Sequence, residues 1–458
     1  MRVTLVNPPW QFYNPVKLYP LGISYLGAFL REEGRSQITL VDLNAEIQDP
    51  FQVLERSVEL VASTAPDVLG LTSWTVHAPF VVEFVRRYKA RHPNVVVVLG
   101  GIHASAAARE LMSLCPADLV VHGEGEHTLS ELLLALEQRR SLTSVPGISL
   151  RQGSQIVPTP KRQLTRDLGW LPFPAYDMLP PMEQYQPWNR RFVFSVMGSR
   201  GCLHSCAFCS GNRFWGYQRW RTPQSVVEEV RWLTSRFRVG FVRFEDDDLL
   251  RHKPWAEQLL ALLGPVGVPF SCLARLDSVR DGMLELLAQA GCKEIYHGLE
   301  SASPRLRKLL GKDMPEFIDA EWCKRLVARE LSLGITPTLS AMIGIPTETE
   351  EEMSATVELL AQLRSMGARV QLWILTPYPD TEMVEQWRER LVRVDRWRMF
   401  GQFDVFSEVT RDAYRWLVRK HRLMVPDYWM FANEAGVRRT GEVFSQARGR
   451  LMGAVDLV

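Results

Sequence analysis

Short apolar runs alternate with longer amphipathic stretches over residues 1–140. The run Val95–Leu99 is continuously apolar, which is typical of a strand covered on both faces of a parallel sheet. Five repeats of strand and helix predict a doubly wound α/β domain, in which ligands bind beyond the carboxyl ends of the strands. The predicted strands are Val3–Val6, Ile38–Val41, Val68–Leu71, Val95–Leu99 and Leu119–Val121. The predicted helices are Leu21–Glu33, Phe51–Ser63, Pro79–Arg91, Ala104–Leu114 and Leu129–Gln138.

Residues 141–190 break this rhythm. They predict a hairpin that turns near Gly153, followed by a proline-rich linker over Leu171–Pro181. Alternation then restarts within residues 191–385, where six strand–helix units predict an open, partial (β/α)6 barrel with its chemistry at the strands' carboxyl ends. Its strands are predicted at Phe192–Met197, Phe241–Phe244, Phe270–Ala274, Glu294–His297, Thr338–Met342 and Val370–Leu375. Residues 386–458 show no clear strand pattern and predict a helical C-terminal cap.

The composition narrows the class of protein. Hydrophobic residues make up 46% and charged residues 23%, as in ordinary globular proteins. The balance of 54 basic and 52 acidic residues favours neither nucleic acid nor a membrane surface as a partner. No apolar run reaches the roughly 18 residues of a membrane-spanning helix. With seven cysteines and no signal-peptide pattern at the start, we expect a reduced, cytoplasmic compartment.

Three of the seven cysteines fall within eight positions, directly after the first predicted barrel strand. Cys202, Cys206 and Cys209 are spaced to bind one metal cluster. A [4Fe–4S] cluster normally takes four cysteines, so three would leave one iron open to another ligand at the barrel mouth. The alternatives are a zinc site with His204 as the fourth ligand, or chance clustering.

This spacing, with an aromatic residue before the third cysteine, resembles the C-x3-C-x-aromatic-C motif of the radical S-adenosylmethionine (SAM) superfamily. The resemblance implies that SAM chelates the open iron and is cleaved to methionine and a 5′-deoxyadenosyl radical. Further motifs end the later strands in the order of that superfamily, such as Gly298-Leu-Glu-Ser301 and Ile343-Gly-Ile-Pro-Thr-Glu-Thr349. The SAM-binding residues expected from it are Phe208, Glu245, Asp246, Arg275, Gly298, Glu300, Ser301, Ile343, Gly344 and Tyr378. For Arg275, a structural ion pair is the alternative.

The first domain lacks G-x-G-x-x-G, which disfavours a nicotinamide site. Its Asn7-Pro-Pro9 and Pro20–Leu26 segments and its glycine turns, Gly100-Gly-Ile-His103 and Gly123-Glu-Gly-Glu126, resemble the cobalamin-binding domain that precedes many radical SAM barrels. The resemblance spans residues 3 to about 385. The cobalamin-binding residues expected from it are Pro8, Ser73, Trp74, His77, Gly100, Gly101, His103, Gly123, Glu124 and Gly125. Ordinary loop histidines remain the alternative for His77 and His103.

One departure from the cobalamin domain concerns the axial ligand. Such domains carry D-x-H-x-x-G after the first strand, and its histidine ligates cobalt, whereas Asn7–Pro15 contains neither Asp nor His. Cobalamin would therefore be bound base-off, with no histidine from this loop. A vestigial domain without corrinoid is the alternative.

The resemblance as a whole implies a cobalamin-dependent radical SAM methyltransferase. It would methylate an unactivated carbon of a small molecule or lipid through methylcobalamin and a 5′-deoxyadenosyl radical, with an external one-electron donor. The same machinery without methylation, as in cyclases, rearrangement enzymes or oxidases with cobalamin as an electron carrier or absent, is the first alternative. A non-catalytic corrinoid- or cluster-binding protein is the second. Cys272, on the third barrel strand, is a candidate to face the substrate, and no catalytic residue is assigned.

Overall fold

The computed structural model describes residues 1–9, 17–35, 37–47, 52–185, 192–279, 282–394 and 429–451. Its first sheet has seven strands in the order β2-β1-β3-β4-β5-β6-β7, of which the first five named are parallel. The strands are β1 Val3–Asn7, β2 Ile38–Asp42, β3 Val68–Thr72, β4 Val96–Gly100, β5 Leu119–Val121, β6 Ile148–Gln152 and β7 Gln155–Pro158. All five predicted strands are therefore confirmed.

Helices cover both faces of this sheet. They are α1 Leu21–Glu32, α2 Leu43–Glu46, α3 Val53–Ser63, α4 Ala78–Arg91, α5 Gly101–Ala106, α6 Ala108–Leu114 and α7 Glu126–Glu137. Apolar residues of α3, α4 and α6 form one core against the sheet, while α1 and α7 pack on the opposite face. Burial on both faces explains the apolar strands that the sequence pattern reveals.

The hairpin at residues 148–158 is confirmed, and Gly153 in its turn has a positive φ of 60°. The sequence pattern places this hairpin outside the first domain, whereas β6 pairs antiparallel with β5 and extends the first sheet. An edge strand such as β5 offers unpaired backbone groups, and the hairpin satisfies them.

The second sheet is an open, six-stranded parallel barrel in the order β15-β14-β13-β12-β11-β8, as the sequence predicts. Its strands are β8 Phe192–Val196, β11 Val239–Phe244, β12 Phe270–Leu273, β13 Cys292–Glu300, β14 Thr336–Ile343 and β15 Arg369–Ile374, and a separate pair is β9 Ser199–Arg200 with β10 Arg219–Trp220. Its helices are α8 Gly211–Trp215, α9 Pro223–Arg236, α10 Lys253–Leu263, α11 Met283–Ala290, α12 Pro304–Leu309, α13 Ala320–Ser332, α14 Glu350–Ser365 and α15 Glu382–Trp387.

The C-terminal region is only partly the helical cap that the sequence predicts. Two short strands, β16 Leu391–Arg393 and β17 Trp429–Phe431, pair antiparallel and precede helix α16, Val437–Leu451. Strands of three residues are too short to leave an alternating pattern, so the sequence does not reveal them. Most of the tryptophan-rich stretch from Trp397 to Trp429 lies outside the described residues.

The proline-rich linker packs against both domains. The Tyr176 hydroxyl donates to the Ser195 carbonyl (3.0 Å) and to Glu229 Oε1 (3.2 Å), both in the barrel half. Tyr19 of the first domain stacks on Phe194 of β8, with ring centroids 5.2 Å apart. One continuous apolar core therefore joins the first sheet to the barrel. Among the described residues, no helix is both long and apolar enough to cross a membrane.

Candidate active site at two facing sheet edges

The cysteine loop begins at the carboxyl end of β8 and is held by a buried carboxylate. Asp246 follows β11 and accepts hydrogen bonds from the Gly198 backbone N–H (3.0 Å) and the Ser199 hydroxyl (2.5 Å). Burial raises the pKa of Asp246 to about 6. Because Asp246 is fully buried, its geometry favours holding the turn before Cys202 over the SAM contact expected from the sequence.

The three thiols of the loop are half-buried and unpaired by disulfides. Burial raises the pKa of Cys202 to about 11 and also raises the pKa values of Cys206 and Cys209. A bound metal stabilises thiolates and overcomes such a shift. A Cβ at Gly211 would lie 3.3 Å from Cys209 Sγ, so glycine leaves space beside that thiol. These features fit a cluster bound by all three cysteines.

A site for a single metal ion is a different geometry. In the part of the chain that the structure describes, no three His, Cys, Asp or Glu side chains are placed to hold one ion. His204, the fourth zinc ligand in the alternative interpretation, has its Nε2 atom 3.7 Å from Asp248 Oδ2. Asp248 itself is buried and accepts from the Ser278 hydroxyl at 2.7 Å.

The cysteine loop is also fastened from the later barrel units. The Ala207 N–H donates to the Leu310 carbonyl, and the Met383 N–H donates to the Ala207 carbonyl, both at 2.8 Å. Gly311 has φ +65°, and a Cβ there would lie 2.8 Å from the Ser205 carbonyl oxygen. Close backbone approach therefore requires glycine at this position.

Arg275, at the end of β12, connects the loop to a carboxylate. Its guanidinium donates to both carboxylate oxygens of Asp277 (2.8 and 3.1 Å) and to Cys206 Sγ (3.6 Å). The structural ion pair named as an alternative is thus present, and a further contact with SAM stays a prediction. Behind it, His297 bridges the Ala274 carbonyl and Glu330 Oε1, each at 2.8 Å.

Glu300 ends β13 with a positive φ of 64° and forms an ion pair with Lys312. A Cβ at Gly298 would lie 2.2 Å from Glu300 Oε1 and 2.3 Å from Lys312 Nζ. Glycine at 298 therefore makes room for this buried pair. Strained backbone of this kind concentrates at functional sites, which supports the SAM contacts expected from Gly298 and Glu300.

The loop after β14 is closed by a buried carboxylate. Glu348 Oε2 accepts from the Gly344 N–H (2.6 Å) and the Ile345 N–H (3.1 Å), and burial raises the pKa of Glu348 to about 8. Ile343 and Ser301 are fully buried, and the Ser301 hydroxyl accepts from the Ser303 N–H at 3.1 Å.

The remaining expected SAM residues lie at different depths. Phe208 packs against the apolar cluster that includes Leu306 and Ile345, whereas Tyr378 is exposed. The Glu245 carboxylate accepts from the Ser195 hydroxyl at 2.7 Å. Cys272, the candidate to face the substrate, is instead buried in the barrel core.

At the carboxyl edge of the first sheet, β3 is followed by Ser73, Trp74 and His77. Trp74 is 52% exposed and stacks on the buried His77 ring, with centroids 6.1 Å apart. Burial lowers the pKa of His77 to about 3, with repulsion from His103 adding to it, and burial lowers that of His103 to about 4. Both imidazoles are therefore neutral, and His103 Nδ1 lies 3.2 Å from the Thr75 hydroxyl.

The glycines of this edge serve the chain's own packing as well as any ligand. A Cβ at Gly101 would lie 2.7 Å from Thr72 Oγ1, and one at Gly125 would lie 3.0 Å from the Leu26 side chain. At Gly100, a Cβ would meet only the Val121 carbonyl, at 4.0 Å. The open side of Gly100 is thus the better candidate for close approach of a ligand. Pro8 is buried after β1, just before the first undescribed segment.

The two carboxyl edges face each other and touch. A Cβ at Gly123, after β5, would lie 3.7 Å from the Phe214 carbonyl of α8, the helix that follows Cys209. Glu124 accepts two hydrogen bonds from Arg219 of β10, at 2.7 and 3.0 Å. Glu124 therefore lies at the contact between the two domains, and its expected contact with cobalamin stays a prediction.

Several residues of the site are invisible to motif analysis. Lys312 lies in a turn without a motif, and Glu348 reads as part of the loop after β14 rather than as a buried carboxylate. Arg200 and Arg219 read as ordinary residues beside the cysteines. The one available signal is for Glu348, which lies inside the segment Ile343-Gly-Ile-Pro-Thr-Glu-Thr349 at the end of β14.

Comparisons with known proteins agree with this geometry. Residues 15–133 match the B12 binding domain, and residues 196–360 match the radical SAM superfamily. An uncharacterized methyltransferase of Pyrococcus horikoshii is 29% identical over 475 residues, covering 98% of this chain and 99% of that protein. The anaerobic magnesium-protoporphyrin IX monomethyl ester cyclase of Synechocystis is 27% identical over 337 residues, 70% of this chain and 65% of the cyclase.

Among solved structures, the radical SAM methyltransferase TsrM of Kitasatospora setae, with cobalamin and a [4Fe–4S] cluster bound, superimposes with a TM-score of 0.73. The match covers the whole of this chain and 92% of TsrM at 18% identity, which establishes the shared fold. The fold and both domain matches define the class: a radical SAM enzyme. The chain belongs to those members that carry a B12-binding domain before the barrel.

Proposed function

We propose that the chain transfers a methyl group from SAM to an unactivated carbon of a small-molecule or lipid substrate. One observation carries the proposal: the segment after β5 of the B12-binding domain accepts hydrogen bonds from Arg200, before the cluster cysteines, and from Arg219, after them. Methyl transfer needs a corrinoid and a radical source beside the same substrate, and such proximity is what the protein supplies.

The chain offers a distinct set of residues for each cofactor. Cys202, Cys206 and Cys209 would hold the cluster, with Arg275 contributing positive charge beside Cys206. When bound, the cluster supplies the electron that cleaves SAM, and cobalamin carries the methyl group. Gly298, Glu300 and Ser301 would bind SAM together with Arg275, Gly344 and Phe208, at the ends of neighbouring elements.

At the opposite edge, the open side of Gly100 and the exposed Trp74 would contact the corrinoid. We propose base-off binding with no histidine ligand from this edge. The absence of a histidine ligand is supported by the burial of His77 and His103, the histidines expected at this edge, in contacts with Trp74 and Thr75. The first loop, over residues 7–15, contains no histidine.

The test is anaerobic reconstitution with iron, sulfide and hydroxocobalamin, followed by desalting and reaction with SAM under reduction. The wild-type chain should retain about one corrinoid and form 5′-deoxyadenosine and S-adenosylhomocysteine. Cys202→Ala, Cys206→Ala and Cys209→Ala should each abolish 5′-deoxyadenosine yet retain the corrinoid. Loss of corrinoid from the wild type on desalting would instead indicate a vestigial first domain.

A second candidate is radical chemistry without methylation. It is favoured by the similarity to the Synechocystis cyclase, which extends over 70% of this chain. The two functions differ in their products. Only methylation consumes SAM to S-adenosylhomocysteine, so 5′-deoxyadenosine formation without it, in corrinoid-loaded protein, supports the second candidate.

A further inference from the structure

Four charged residues, of which three are buried and Glu124 is partly buried, join the two domains beside the cluster loop, and we call them the interdomain clamp: Glu124, Glu126, Arg200 and Arg219. Arg200 Nη2 donates to Glu126 Oε1 at 2.6 Å, and Arg200 Nη1 lies 3.3 Å from Glu124 Oε1. Arg219 Nη2 donates to Glu124 Oε1 at 2.7 Å. Glu124 thus accepts from one arginine and lies beside the other.

The clamp is withdrawn from solvent. Arg200, Arg219 and Glu126 are 3%, 1% and 4% exposed. The Arg200 guanidinium carbon also lies 5.4 Å from the Tyr25 ring centroid and 5.3 Å from that of Trp215. The charges of the two arginines and the two glutamates balance. Breaking such an ion pair is costly because it leaves a buried charge without a partner.

The position of the clamp along the chain is what gives it a role in the reaction. Arg200 ends β9 two residues before Cys202, and β9 pairs with β10 so that Arg200 lies opposite Arg219. Glu124 lies in the glycine turn that follows β5, and Glu126 begins α7 directly after that turn. The turn after β5, which is expected to contact the corrinoid, therefore lies directly against the segment that leads into Cys202.

A second connection runs on the other side of the cysteines. The Ser105 hydroxyl donates to the Gly101 carbonyl (2.9 Å) and accepts from the Gly123 N–H (3.0 Å), which ties the two glycine turns together. Helix α5, which contains Ser105, contacts α8, which begins two residues after Cys209. The cluster loop is therefore braced against the B12-binding domain at both of its ends.

We propose that Glu124, Glu126, Arg200 and Arg219 are positioning residues that fix the separation between the corrinoid and the SAM bound at the cluster. The inference rests on the proposed methyl transfer. Cleavage of SAM needs only the barrel, whereas transfer of its methyl group toward the corrinoid needs both domains in register. Loosening the clamp should therefore separate the two reactions.

The test compares Arg200→Gln with Arg329→Gln, a control that removes one arginine from an exposed pair with Glu285 on the outside of the barrel. After reconstitution, Arg200→Gln should retain iron and corrinoid and still form 5′-deoxyadenosine. Its ratio of S-adenosylhomocysteine to 5′-deoxyadenosine should fall about tenfold or more, since small misplacements have large effects on positioned reactions. Arg329→Gln should keep the wild-type ratio.

Hydrogen–deuterium exchange on the cofactor-free chain gives a readout that does not depend on turnover. In Arg200→Gln, exchange should quicken in α5, α8 and the turn after β5, with β13 and β14 unchanged. If this variant does not accumulate as folded protein, Glu126→Gln replaces it, because glutamine preserves the shape of Glu126 and Glu126 is not among the residues expected to contact the corrinoid.

The outcomes separate the two proposals. An unchanged product ratio, or a parallel loss of both products, overturns the clamp, because the clamp would then not act between the domains. Unchanged exchange at the interface overturns it as well. Methyl transfer itself is contradicted if the corrinoid-loaded wild-type chain forms 5′-deoxyadenosine without S-adenosylhomocysteine. In that case the hydrogen–deuterium exchange experiment still tests whether the clamp joins the two domains.

Discussion

The Arg275 guanidinium donates to the Cys206 sulfur across 3.6 Å while both oxygens of Asp277 hold it in place. A fixed positive charge beside a cluster ligand stabilises the reduced, more negative cluster. Arg275→Gln should therefore make the reduction potential of the cluster more negative and slow 5′-deoxyadenosine formation about tenfold. An EPR-monitored redox titration measures the potential directly.

Arg275→Lys is the matched control, because lysine keeps the charge but cannot hold Asp277 through two parallel bonds. It should restore most of the potential and only part of the rate. Equal potentials in the wild type and in Arg275→Gln would show that Arg275 does not influence the cluster.

Gly298→Ala tests the space beside Glu300 and Lys312. The added Cβ would meet both charged groups at 2.2–2.3 Å, so the ion pair must move. We expect the concentration of SAM needed for half-maximal cleavage to rise about tenfold or more, with iron content unchanged. In Gly449→Ala, where no atom lies within 4 Å of the new Cβ, SAM dependence should stay at the wild-type level.

Glu348 predicts a pH dependence of stability. Burial raises the pKa of Glu348 to about 8, so the folded chain favours the protonated carboxyl. Its stabilising contribution is complete below the ordinary glutamate pKa and is lost as the pH rises through about 8. Glu348→Gln does not titrate, and its oxygen can still accept from the Gly344 and Ile345 N–H groups.

Thermal unfolding of the two cofactor-free proteins across this pH range measures the effect. The melting temperature of Glu348→Gln should rise relative to the wild type as the pH increases. Parallel curves over the whole range would mean that Glu348 is not held protonated in the folded chain.

The buried pair of Arg221 and Glu229 predicts a contrast in folding energy. Both side chains are at most 1% exposed, and Tyr176 of the linker also donates to Glu229. Removing one partner leaves the other charge buried and unpaired, so Glu229→Gln should lower the free energy of unfolding by about 3–5 kcal/mol. Loss of the exposed pair of Arg329 and Glu285 should cause a far smaller change in the same urea titration, because solvent screens the two charges. Similar losses in Glu229→Gln and Arg329→Gln would contradict this ranking.

The sequence predicts the strands and motifs well for a physical reason. Buried parallel strands such as β4 and β5 are continuous apolar runs, and residues at the carboxyl ends of parallel strands, such as Cys202 after β8 and Glu300 at the end of β13, stand at a predictable sheet edge. Contacts between distant segments leave no such pattern. The pairing of Arg200 with Glu126 joins residues of two domains, and the link between β16 and β17 joins strands of three residues.

Contacts between distant segments also decide the roles of individual residues of the site. Asp246 is one of four consecutive carboxylates, Glu245–Asp248, and the sequence does not show which of them contacts a ligand. The structure shows that the buried Asp246 holds the Gly198–Ser199 turn. The sequence places Gly101 among the expected cobalamin-binding residues, whereas Thr72 and Ser73 already crowd its Cβ position. Local sequence identifies where the site is, and packing decides which side chains remain available to it.

Methyl transfer is tested most directly by the product ratio of the reconstituted wild-type chain. Corrinoid-loaded protein is mixed with SAM and a low-potential reductant, and S-adenosylhomocysteine and 5′-deoxyadenosine are quantified together. Both products should form, and omission of cobalamin should remove only S-adenosylhomocysteine. Formation of 5′-deoxyadenosine alone, with the corrinoid bound, would contradict methyl transfer.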